Sequence, residues 1–385
     1  MDARGRHYRV HREVEAFPTH VYVKDTYTNL TDRDLGLLIY NELPVEEDQL
    51  TATRLAGYER KGRMVEMPHY GGASVFISDR HTGIGMVPMD DVFVVQSVLY
   101  VEDDTAGMGS EKFTLGPQAS YTLEWAIYPT GSGDYFDFVN TFRRVEDRIG
   151  TADYAPGFVT FGPYNRRQVP TRDYLENRGI RLALLPVLGR TEDNPNVDIE
   201  GIEFLDFPKE RALTKQQALA IHRRHPDVKV MFHVAHSLYA TQDGDKFADS
   251  KVIDANGTHT RMGGPDWPFW VYYPAPGNSF HDALMRSVDV MMDEMDMDGA
   301  LMDGFMLGYG GRWTYGGRWD QHSALIDKQT KTIQRKVSSV LLLMQPSMIE
   351  FSRKMNGKGG IVMANGVVVT RSVANEKYIY FDAEC

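Results

Sequence analysis

Cysteine is almost absent. The only one among 385 residues is Cys385, so no disulfide can close within the chain. No CxxC or CxxH spacing exists to bind zinc. Excess positive charge is missing too. Forty-two Lys and Arg stand against 53 Asp and Glu, a formal net charge of −11, which argues against nucleic acid or an anionic membrane as the main partner. No window approaches the roughly 18 apolar residues of a membrane span. The N-terminal stretch MDARGRHYRVHREVEAF lacks the apolar core of a signal peptide. The compartment stays open, cytoplasmic or, with a leader ahead of this sequence, secreted or periplasmic. The glycine strings GYGGRWTYGG and MNGKGG lack the residue order of nucleotide-binding loops, and no cofactor is implied. Nothing in the chain signals an oligomeric state.

What is present divides into two regimes. Residues 1–130 read as short Val-, Tyr-, Thr- and Phe-rich strands such as VYVKDTYTN, ASVFISDR, GMVPMDDVFVVQSVLYV and SYTLEWAIYP, separated by turn residues. That pattern predicts an antiparallel β-sandwich. Residues 131–153 predict a connector helix with Phe136, Val139 and Phe142 on one face and Phe138 nearby. Residues 154–385 alternate apolar runs with amphipathic stretches. The runs are PGFVTFG, IRLALLPVLG, VKVMFHVAHS, GALMDGF, GGIVMANG and KYIYFDAEC. Continuous apolar strands alternating with helices predict a parallel sheet covered on both faces, here a TIM-type (β/α)8 barrel. The fold class is thus α/β plus all-β. A closed barrel needs two more strands than these six runs. The expectation is a barrel truncated at its C-terminus; the alternative is two weak strands near VDIEGIEFLDF.

Function in such a barrel sits at the C-terminal ends of the strands. Reading those ends gives His233 and His236 in the third run, Asp303 in the fourth, Asn365 in the fifth, and Asp382 with Glu384 in the sixth. Two carboxylates across a barrel mouth suit glycoside cleavage. Asp303 is the candidate nucleophile or base. Glu384 is the first choice for the acid, with Asp382 beside it. The loop after Asp303 interleaves Tyr309, Trp313, Tyr315 and Trp319 with glycines. Aromatic faces stack on sugar rings and glycines permit close approach. Asp320 and His322 follow as hydroxyl-binding candidates, and Asn365 at the end of the fifth run joins them. A second aromatic loop, GGPDWPFWVYYPAPGN, brings Trp267, Trp270, Tyr272 and Tyr273. His233 and His236 lie three apart on a strand and face opposite ways, which disfavours a shared metal. His236 is the expected site-lining member. The competing readings are a metal-assisted lyase or hydrolase using His233, Asp303 and Glu384, and a catalytically silent carbohydrate-binding protein.

DGALMDGF resembles the hydrophobic-strand–Asp–aromatic signature at the fourth strand of (β/α)8 glycoside hydrolases of the α-galactosidase-like and α-amylase-like groups. The α-galactosidase-like clan carries its acid/base at the end of the sixth strand, which corresponds to YFDAEC. A preceding sandwich of the galactose-mutarotase type is common in that clan. DYFDFVNTFRR and WVYYPAPGN look like segments of uncharacterised bacterial proteins with this layout. The resemblance implies a carbohydrate substrate and hydrolysis of O-glycosidic bonds. The fourth strand lacks the clan's Lys-Tyr-Asp run and the sixth carries two acids, so sugar and anomeric specificity do not carry over.

Overall fold

A computed structural model describes residues 1–65, 72–148, 155–158, 169–185, 201–234, 239–241, 244–262, 269–306, 313–366 and 368–381. The chain forms two compact units. The first comprises Met1–Gly150, Arg318–Leu342 and Val369–Arg371, and the second comprises Thr151–Gly317, Leu343–Val368 and Ser372–Cys385.

The first unit is a sandwich of two antiparallel sheets. The larger has eight strands, with Val21–Asn29, Ser120–Thr130, Gly83–Pro88 and Val75–Ser78 at its centre. The smaller has four: Leu35–Pro44, Thr105–Leu115, Ser97–Glu102 and Gly62–Val65. Alternation decides which side chains are buried. In Val21–Asn29 the buried set is Val23, Asp25, Tyr27 and Asn29. Leu37, Ile39, Leu99, Met108 and Phe113 of the smaller sheet share one core with Val23, Tyr27, Val75 and Trp125 of the larger. Asp25, 1% exposed, is neutralised by the Arg12 guanidinium, whose Nε and Nη2 donate at 2.6 and 2.8 Å. The Trp125 indole N–H donates to the same carboxylate at 3.0 Å.

Two local expectations change. The run GMVPMDDVFVVQSVLYV is not one strand: Gly83–Pro88 and Ser97–Glu102 flank the helix Asp91–Gln96. Asp90 caps that helix, accepting the backbone N–H groups of Val92 and Phe93 at 3.1 and 3.0 Å. The cap outweighs the β-propensity of DVFVV. The helix in 131–153 spans Tyr135–Val145, but Phe136 is 63% exposed. The packed stripe is Tyr135, Phe138, Val139 and Phe142, set against Phe76, Ala126 and Tyr128 of the large sheet. Phe138 replaces Phe136 because i, i+3, i+4 and i+7 share a face.

Residues 318–342, expected in the barrel half, join the first unit. Buried Gln96 staples them: its Nε2 donates to the His322 carbonyl and the Ser323 hydroxyl at 2.8 and 2.9 Å. The hairpin Ala324–Ile326 with Ile333–Lys336 follows.

The second unit carries a six-stranded, all-parallel sheet whose spatial order follows the chain: Ala155–Phe158, Ile180–Leu185, Lys229–Val234, Gly299–Met302, Ile361–Asn365 and Ile379–Phe381. These six strands fall in the six apolar runs. Among the described residues the sheet is a curled half-barrel: first and sixth strands do not pair, so no closed (β/α)8 barrel is formed by them. The alternative strand site near VDIEGIEFLDF holds a 3-10 turn, Gly201–Asp206. Its Phe204 meets Phe232 edge-on at 4.8 Å. The opposite face of the sheet carries a separate apolar layer of Leu182, Leu184, Met231, Leu301 and Met363. The helix Val340–Gly357 is tied to Ser279–Asp289 by Lys354, whose Nζ donates to Asp289 Oδ2 and the Met285 carbonyl at 2.7 and 2.8 Å. No described helix is long and apolar enough to cross a membrane.

Candidate functional site

The fourth strand is bracketed by two aspartates with different surroundings. Asp298 precedes it. Its carboxylate accepts from Lys229 Nζ at 2.9 Å, the Val230 N–H at 2.8 Å and the His222 ring at 2.8 Å. Burial opposes its charge most strongly, but the Val230 N–H, Lys229 and His222 outweigh it, and its pKa is lowered. This acid is consumed in fixing strand register. Gly299 comes next because a Cβ there would lie 2.0 Å from the Ile361 carbonyl oxygen.

Asp303 follows the strand at its C-terminal end. Its N–H donates to the Val234 carbonyl at 2.9 Å, which binds the turn to the third strand. Gly304 adopts φ +64°, a left-handed conformation that lets the chain turn away directly after the carboxylate. The Phe305 N–H then donates to the Asn365 carbonyl at 3.0 Å, binding the turn to the fifth strand. Phe305 itself is fully buried.

Register places three polar side chains on one face. His233 pairs with Leu301, and Leu301 with Met363. Leu301 and Met363 belong to the apolar layer. Neighbours in register share a face, and so do residues two apart. His233, Asp303 and Asn365 therefore crown that layer at the C-terminal end of the sheet. The side chains meet: Asn365 Nδ2 donates to Asp303 Oδ1 at 2.7 Å, and His233 Nε2 lies 3.6 Å from Asp303 Oδ2. Asp303 keeps a side-chain exposure of 22% and His233 12%, so the carboxylate is sheltered yet reachable. Among the described residues, no three His, Cys, Asp or Glu side chains group closely enough to hold a metal ion.

The other sequence-predicted positions are distributed as follows. Asp382, Glu384, Tyr309 and His236 lie outside the described residues. Trp313 is buried at 8% exposure. Trp270 stacks on His259 at 4.9 Å, with Arg261 5.7 Å above its ring. Tyr272 and Tyr273 of the same aromatic loop are buried, Tyr272 packing on Phe247 and Phe280. Trp319, Asp320 and His322 belong to the first unit, whereas Asp303 belongs to the second. Trp319 donates its indole N–H to the Ser323 carbonyl at 2.8 Å, and Lys336 Nζ sits 3.8 Å above its ring. Asp320 accepts from the backbone N–H groups of His322, Ser323 and Ser339 and from the Ser323 hydroxyl. Burial raises its pKa despite these bonds. His322 packs on Tyr121 at 4.5 Å, and burial lowers its pKa. The register of His233 with Leu301, not the identity of its sequence neighbours, puts it beside Asp303.

The curled parallel sheet thus brings a carboxylate, an amide and an imidazole together at the C-terminal ends of three adjacent strands. No protein-family model matches the chain, and no curated protein sequence does. Among solved structures, an α-galactosidase from Thermus thermophilus in complex with stachyose is similar at 10% identity and a TM-score of 0.48, over 94% of this chain and 74% of that one. An α-N-acetylgalactosaminidase from Bifidobacterium bifidum in complex with GalNAc is similar at 11% identity and a TM-score of 0.49, over 98% of this chain and 71% of that one.

Proposed function

We propose that this protein is a glycoside hydrolase that cleaves O-glycosidic bonds, with Asp303 as the nucleophile or water-activating base. The observation that supports this reading is the placement of Asp303. It is a sheltered carboxylate at the C-terminal end of a central parallel strand, on the same face as the sheet's apolar layer, held by the Asn365 amide of the fifth strand with the His233 ring of the third 3.6 Å away.

An ionised carboxylate so placed attacks an anomeric carbon or takes a proton from water as positive charge develops on the sugar ring. The leaving oxygen needs a proton from a second acid. Glu384 and Asp382, beyond the end of the sixth strand, fill that role in this proposal. A separation from Asp303 of roughly 5–5.5 Å would give retention and roughly 6.5–9.5 Å inversion. His233, within 3.6 Å of Asp303, gives the metal-assisted reading its specific observation, and the two readings separate experimentally. The wild-type chain is assayed on a panel of aryl α- and β-glycosides with and without a chelator. Release of aryl alcohol that survives chelation supports the two-carboxylate reading. Release abolished by chelation and restored by a divalent ion supports the metal-assisted one. No release from any member of the panel counts against both.

A further inference from the structure

Asn365 touches the Asp303 turn twice. Its side-chain amide donates to Asp303 Oδ1 at 2.7 Å, and its backbone carbonyl accepts the Phe305 N–H at 3.0 Å. The backbone bond closes the turn regardless of the side chain. The side-chain bond acts on the carboxylate alone. It fixes the rotation of the carboxyl group, since one oxygen is pinned toward the fifth strand and the other faces the His233 ring. An amide donor also stabilises the ionised form of the acid it touches. Asn365 is set at this place by the sheet. It is the last residue of the fifth strand and two residues past Met363, so its side chain points to the face that carries Asp303.

We propose that Asn365 is a positioning residue for Asp303: it orients the carboxylate and holds it ionised, and does not serve primarily to bind a substrate hydroxyl. The inference rests on the reading of Asp303 as the reacting carboxylate, but its main test needs no substrate. Asn365→Asp preserves shape and replaces the donor with a second acid 2.7 Å from Oδ1. Two carboxyl groups at that distance share a proton, and the pair titrates with one macroscopic pKa strongly raised. Asn365→Ser, which is smaller and loses the amide, is the second variant should the first unfold.

The measurement is the pH titration of aspartate carboxyl carbons by 13C NMR, with the Asp303 signal identified by its loss in Asp303→Asn. The expected result is an upward shift of the Asp303 titration by about one unit or more in Asn365→Asp, and a smaller upward shift in Asn365→Ser. An Asp303 titration unchanged in both variants overturns the proposal, whatever the enzyme's substrate. Should an aryl glycoside be turned over, kcat falls on the order of 100-fold in Asn365→Ser with KM little changed, because a misdirected carboxylate loses rate and not binding. A rise in KM at constant kcat would instead assign Asn365 to hydroxyl binding and overturn the positioning role. Failure of the hydrolase reading shows as no turnover in the wild type while the titration shift persists.

Discussion

Asp90 provides a quantitative test of the fold. It caps the helix Asp91–Gln96, accepts the Glu124 N–H at 2.7 Å and the Tyr121 hydroxyl at 3.1 Å, and is deeply buried. Burial, outweighing those hydrogen bonds, pushes its carboxyl pKa up from 3.8 to about 6. A raised carboxyl pKa means that the folded state holds its proton more tightly than the unfolded chain. Its contribution to stability is therefore fully present below about pH 4 and is lost as pH rises through about 6. A carboxyl pKa raised from 3.8 to about 6 corresponds to about 2–3 kcal/mol lost between pH 4 and pH 7. His322, packed on Tyr121, has the opposite sign. Burial lowers its pKa, so its contribution is present above the unfolded value and fades as pH falls through the folded one. The wild-type profile mixes both, so the informative quantity is a difference. Asp90→Ser retains a capping oxygen and removes the titration. Urea unfolding of both proteins at half-unit steps from pH 4 to 7 gives the gap between them. That gap should move by about 2–3 kcal/mol in favour of the serine variant as pH rises. A gap that is flat with pH, or that moves toward the wild type, refutes the assignment of Asp90 as a buried acid charged at a cost.

Asp320→Ala removes the acceptor of four donors in the 318–342 segment; it should lower unfolding stability by about 2 kcal/mol or more, read by denaturant titration, with sugar affinity unaltered. Gly299→Ala forces a methyl to within 2.0 Å of the Ile361 carbonyl and should cost at least about 1–3 kcal/mol, visible as a lowered melting temperature.

Much of the second unit is legible in the sequence because its strands are covered on both faces. IRLALL, KVMFHV, GALM and IVMAN read as continuous apolar runs for that reason, and each is a strand of the parallel sheet. Asp303 and Asn365 stand at the ends of the fourth and fifth runs, and their contact across the two strands follows from that placement. The place of His233 beside Asp303 is not legible from spacing, because it is set by the pairing of His233 with Leu301, a property of two strands together. The 318–342 segment follows Asp303 in sequence yet belongs to the first unit, an assignment no local pattern in the segment carries. Gln96, more than two hundred residues upstream, instead fixes it to the sandwich. The helix Asp91–Gln96 is hard to read in the sequence because its β-branched residues favour a strand and only one capping aspartate, Asp90, signals the helix.

The role proposed for Asp303 is tested most directly by turnover of an aryl glycoside by Asp303→Asn beside calorimetric affinity for the same sugar. The expected result is that kcat drops by roughly a thousandfold or more while the sugar still binds as it does to the wild type. Turnover within a few-fold of the wild type would contradict it.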